Sequence, residues 1–205
     1  MPRFRPSCHF IGMSRFAVAL VAGLLLSFGA AAQDAADRLG VPGPLTFDGK
    51  PHALAWVSQP TDTYTKQEYV PAGETPQDYS SMLLIEVLTA GAGVKEALAA
   101  QVRTLNERKP SDPLVNMSVL QNDKTGEAIL DFIVSSKDGE GAYIVEWNAY
   151  RYIPRDGGGV TLFGISRRTY GNDEAKAFLT WLKTLRPEQI NKLAQHKVPE
   201  ARPAP

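Results

Sequence analysis

The stretch "EWNAYRYIPRDGGGVTLFGISRRTYG", Glu146–Gly171, decides the fold. Two runs rich in aromatic and β-branched residues flank "PRDGGG", a turn that only a hairpin needs. Side chains alternate between the two faces of a strand. In the first run Tyr143, Val145, Trp147, Ala149 and Arg151 share one face; Ile144, Glu146, Asn148, Tyr150 and Tyr152 share the other. In the second run Thr161, Phe163, Ile165, Arg167 and Thr169 share a face, opposite Val160, Leu162, Gly164, Ser166 and Arg168. If Ile153 pairs with Val160, Glu146 meets Arg167 and Tyr150 meets Phe163. A shift of one residue sets Glu146 against Arg168 and exchanges the faces.

Outward from this hairpin the same grammar repeats. "NMSVLQN" and "EAILDFIVSS" are strands, punctuated by "NDKTGE" and "KDGEG". Upstream, "LAWVS" (Leu54–Ser58) and "TYTKQEYV" (Thr63–Val70) form a further pair. "MLLIEVLT" (Met82–Thr89) is apolar without alternation, as expected for a central strand covered on both faces. Thr75, Pro76 and Asp78 carry the signals of a short helical turn.

Two segments change period. "GVKEALAAQVRTLNERK" sets Val94, Leu98, Val102 and Leu105 on one stripe, and Pro110 ends it. A second helix starts at Asn172 as cap, with Asp173 and Glu174 in its first turn. It buries Phe178, Leu182 and Leu185, with Trp181 at the margin. Pro187 is expected to close it and to open one more short helix. Clustered hairpins with few helices predict an α+β fold. The expected sheet is antiparallel, with about six to seven strands, one mid-chain helix and one or two C-terminal helices packed on it.

The ends carry address rather than fold. Arg3, Arg5 and Arg15 precede "FAVALVAGLLLSF", a run too short for the roughly 20 residues of a membrane span. "GAAAQDA" follows, with Ala30 and Ala32 at the small positions of a cleavage site. Residues 1–32 are therefore read as a secretory signal, with Met13 as an alternative start. Residues 33–53 are read as an N-terminal arm, 54–195 as one domain and 196–205 as a Pro-rich flexible tail. The expected location is periplasmic or secreted, with no stable membrane span after cleavage.

The whole chain has 22 basic and 22 acidic residues; losing Arg3, Arg5 and Arg15 leaves 19 against 22. That balance excludes a nucleic-acid binder, which needs a basic surface. The one cysteine, Cys8, lies before the apolar run, so the exported chain is expected to have no disulfide and no thiolate.

No catalytic signature stands out. His52 and His196 are far apart in sequence, which argues against an imidazole centre or a zinc site. Ser80 and Ser81 have no nameable base. "TAGAGVKEAL" fails as a dinucleotide loop, because Glu96 stands where a third glycine belongs. No cofactor, metal or catalytic residue is assigned. A binding site is the remaining prospect. With Asp131 of "AILDFIV" near Asn148, the residues Asp131, Glu146, Asn148 and Arg167 gather beside Tyr150, polar groups on an apolar floor. Arg167 would grip a carboxylate with its fork. The plainer reading is a wet sheet face whose charges pair with each other.

The order of elements between Leu54 and Gln195 resembles the PsbP-like fold, including exported bacterial relatives of the DcrB type. The resemblance implies a non-enzymatic accessory or binding role at the cell envelope. Three functions are therefore expected in turn. The first is an exported binding or accessory protein whose partner is another envelope protein or a small ligand. The second is a small hydrolase or transferase using Asp131 and Glu146 as paired carboxylates. The third is an oligomeric structural protein. Oligomeric state stays open at this point.

Overall fold

The computed structural model describes residues 35–203; the secretory signal read at 1–32 lies outside the described residues. The elements run β1 (Leu45–Phe47), β2 (Lys50–Thr61), β3 (Tyr64–Val70), β4 (Ser81–Leu88), α1 (Val94–Arg108), β5 (Asn116–Asn122), β6 (Glu127–Lys137), β7 (Tyr143–Pro154), β8 (Val160–Tyr170) and α2 (Asn172–Gln195). All eight strands form one antiparallel sheet in the order β1-β2-β3-β4-β8-β7-β6-β5. The α+β class holds, with eight strands where about six to seven were expected.

The extra strand is β1, inside the segment read as an arm. Leu39, Val41, Leu45 and Phe47 are buried in the main core, so the packed chain begins at Leu39 rather than Leu54. The far end packs too. Ala201 is buried, and the Arg202 N–H donates to the Leu39 carbonyl at 2.7 Å. His196 stacks on Phe163 at 4.9 Å. The segment read as a loose tail is thus tied down as far as Arg202.

The sheet carries a core on each face. On one face Leu83, Ile85, Trp147, Ala149, Phe163 and Ile165 pack against α2 and residues 39–47. On the other Leu84, Leu130, Phe132, Tyr152 and Leu162 pack against Ala97, Leu98 and Leu105 of α1. β4 is covered on both sides, as its unbroken apolar run requires.

Helix ends obey the backbone's unpaired donors, though not always through the expected residue. At α1 the Glu96 carboxylate reaches back to the Gly93 N–H at 3.1 Å. At α2 the cap is Gly171, with φ of 101°, and Asn172 instead accepts the Tyr143 N–H at 3.0 Å. Pro187 does not end α2; it lies inside one continuous helix. An interior proline costs roughly 3 kcal/mol. Clamps on both sides offset it: Arg186 onto Asp131, and Gln189 and Lys192 onto Asp48. Thr75–Asp78 forms a closed turn rather than a helix, with Thr75 Oγ1 accepting the Asp78 N–H.

Candidate functional site

The β7–β8 register is the shifted one. Ile153 pairs with Thr161, Glu146 with Arg168 and Tyr150 with Gly164. Asp131 stands opposite Ala149, one place from the expected Asn148. Because alternation is strict, this divides the five expected site residues between two faces. Asp131 and Arg167 lie on the α2 side; Glu146, Asn148 and Tyr150 lie on the α1 side. The single cluster is therefore not assembled, and the two carboxylates of the hydrolase reading are separated by the sheet.

On the α1 side the polar groups around Glu146 satisfy one another. The Glu146 carboxylate accepts from Tyr79 Oη at 2.8 Å, Asn148 Nδ2 at 2.9 Å and Arg168 Nε at 2.7 Å. Ser166 Oγ donates to Asn148 Oδ1 at 2.8 Å, and the Arg168 guanidinium lies 4.0 Å over the Tyr79 ring. Burial pushes the Glu146 carboxyl up. The Arg168 charge and the three donors outweigh that, and the net direction is down. This is a closed network that fastens the loop before β4 onto β7 and β8. Tyr150 stands edge-on to Phe132 at 5.0 Å. It leans over Gly164, where any Cβ would lie 2.8 Å from both Tyr150 and Leu84.

On the α2 side Asp131 is also spoken for. Trp147 Nε1 donates to it at 2.6 Å, and Arg186 Nε reaches both its oxygens at 2.8 and 2.7 Å. Asp131 thus pins α2 to the sheet and makes no bond to Arg167.

Arg167 differs from the other arginines of the sheet. Its Nε is buried without a hydrogen-bond partner, and among the described residues its guanidinium makes no ion pair. Arg108, Arg151, Arg155, Arg168 and Arg186 all donate to a side chain or carbonyl. Burial pulls the Arg167 guanidinium down; Asp48 and Glu74 oppose this from a distance. Both carboxylates are occupied elsewhere. Asp48 takes Gln189 and Lys192, and Glu74 takes the Ser80 N–H and hydroxyl. Two further buried groups lack a partner: Gln189 Oε1 on α2 and Tyr152 Oη on the α1 side of the sheet.

Directly across from Arg167 is Ser81. Its hydroxyl lies 2.8 Å from His52 Nε2, while His52 Nδ1 lies 2.9 Å from the Lys50 carbonyl. A carbonyl only accepts, so Nδ1 carries the proton and Nε2 accepts from Ser81. That is the orientation of a serine beside a base. Both residues are closed off, His52 at 0% and Ser81 at 2% exposure, so the pair ties β2 to β4 past the end of β3. Sequence reading missed this partner because His52 lay in the presumed arm. Only the register brings it to Ser81, 29 residues on.

His52 and His196 are both held below the usual histidine range by burial; Arg151 adds to the effect at His196. A lowered folded value means the unfolded chain takes up the proton first. Stability is therefore expected to be complete above about pH 6.5 and to fall as pH drops below it. Urea unfolding at stepped pH checks this: His52→Asn should flatten the slope in that window. Asp48, Glu74, Asp112 and Glu146 are all lowered. Their contribution is lost separately, below about pH 4.

Among the described residues no group of three or more His, Cys, Asp or Glu side chains could hold a metal ion. No helix there is long and apolar enough to cross a membrane. No curated protein matches the chain significantly. A family model matches residues 39–198, nearly the span from the first buried leucine to the end of the packed tail, and the chain belongs to that uncharacterised family.

Proposed function

We propose an exported, non-catalytic binding or accessory protein of the bacterial envelope, periplasmic or secreted, with Arg167 as its recognition group. A PsbP-like relationship is part of the same proposal. The observation that carries it is the buried Arg167 Nε–H without a partner. Buried polar groups are nearly always paired, and each exception needs an explanation. An anionic ligand, best a carboxylate that matches the planar fork, explains this one. The basic flank and short apolar run of residues 1–32 support export.

The test is a titration of the purified protein with small mono- and dicarboxylates and with inorganic phosphate. It is followed by the melting temperature and by the NMR resonance of the Arg167 side-chain Nε–H. A binder should stabilise the fold by about 2.7 kcal/mol at a hundredfold excess over its dissociation constant. The gain should vanish in Arg167→Met and shrink in Arg167→Lys, which keeps the charge but loses the fork. An unshifted Nε–H across the whole panel would rule out small carboxylates and phosphate as its ligands.

A further inference from the structure

The two edges of the sheet are built differently. β1 is three residues long with two of them buried. β5 is seven residues long and exposed almost throughout. Its pairing with β6 is regular, with no bulge. Val119 and Leu120, at 43% and 46%, are the most exposed large apolar side chains among the described residues. Natural sheets guard such an edge with lysine, proline, a bulge or an inward charge. "NMSVLQN" has none of these.

What it has instead is self-complementarity. Laid antiparallel on itself about Val119, Asn116 meets Asn122, Met117 meets Gln121, Ser118 meets Leu120 and Val119 meets Val119. No charge falls within the pairing. The flanking Asp123 and Lys124 fall opposite Val115 and Leu114 of the second copy, so no like charges oppose. Residues in opposed pairs share a face, as strand alternation requires.

We propose that β5 is the contact edge of a homodimer of this chain, with a two-fold axis through Val119. The unpaired backbone groups of the two edges then satisfy one another. The sheets join into one, with both α1 helices on one face and both α2 helices on the other. Such a contact is self-complementary and closes at two copies. One short strand per copy makes a small interface, so the dimer dissociates on dilution. The inference is independent of Arg167.

Sedimentation of the purified protein over a wide dilution series tests it. The expected result is a monomer–dimer equilibrium, weakened at least tenfold by Val119→Lys and by Val119→Glu, since each sets like charges face to face at the axis. An equimolar mixture of the two variants should restore the dimer. Circular dichroism melting should match wild type, because the side chain is exposed. A wild-type chain that is monomeric throughout overturns the proposal, as does a dimer that survives both substitutions.

Discussion

Trp147→Ala is expected to lose about 3–5 kcal/mol of unfolding free energy. Trp147 is among the largest fully buried side chains of the chain, at 0% exposure in the middle of the α2-side core. Truncation leaves a cavity in the core that Trp147 shares with Val145, Ile165 and Leu182, and flanking backbone cannot fill it, because both neighbouring strands are held by paired partners. It also removes one of the donors on Asp131, whose carboxylate pins α2. Trp147→Phe separates the two effects. It keeps most of the volume but loses the N–H with part of the indole ring, for about 1–3 kcal/mol. Trp181→Ala, at an exposed helix position stacked only on Phe178, should stay within about 0.5 kcal/mol. Urea titrations of the three variants give the comparison. Equal losses for Trp147 and Trp181 would contradict the placement of the core.

The parts of this structure visible in the sequence are those with a strong local cause. The apolar run of β4 could only be central, and the stripe through Leu98 and Leu105 could only be a helix face. The parts that were not visible rest on contacts between distant segments. β1 is too short to show a period, and Gly49 and Pro51 make its partner's start look like loop. Pro187 signals a helix end. Contacts of Arg186, Gln189 and Lys192 with the sheet and the β1–β2 turn hold the helix through it.

The hairpin register shows the limit most clearly. Gly157, Gly158 and Gly159 all take positive φ, and a turn this permissive admits either pairing. The choice is made outside the hairpin. Gly159 runs so close to the end of β4 that a Cβ there would fall on the Leu88 carbonyl oxygen. That single residue of shift exchanges Arg167 for Arg168 beside Glu146. Which face each of the charged residues named from sequence serves depends on that register.

The two adjacent arginines give the second large effect. Arg168→Met breaks the pair with Glu146, where the side chains are 12% and 18% exposed, and leaves the carboxylate with only Tyr79 and Asn148. Losing a charge-assisted bond in such a setting costs about 1.5–3 kcal/mol. Arg167→Met has no pair to break. A half-buried guanidinium without a partner is itself unfavourable, so an apolar side chain of similar length should leave stability unchanged or raise it. The decisive measurement is therefore the unfolding free energy of these two variants side by side, without added ligand. The account predicts that Arg168→Met falls well below wild type while Arg167→Met matches or exceeds it. A loss at Arg167 as large as at Arg168 would mean that its charge is already satisfied within the fold, and that no ligand is needed to explain it.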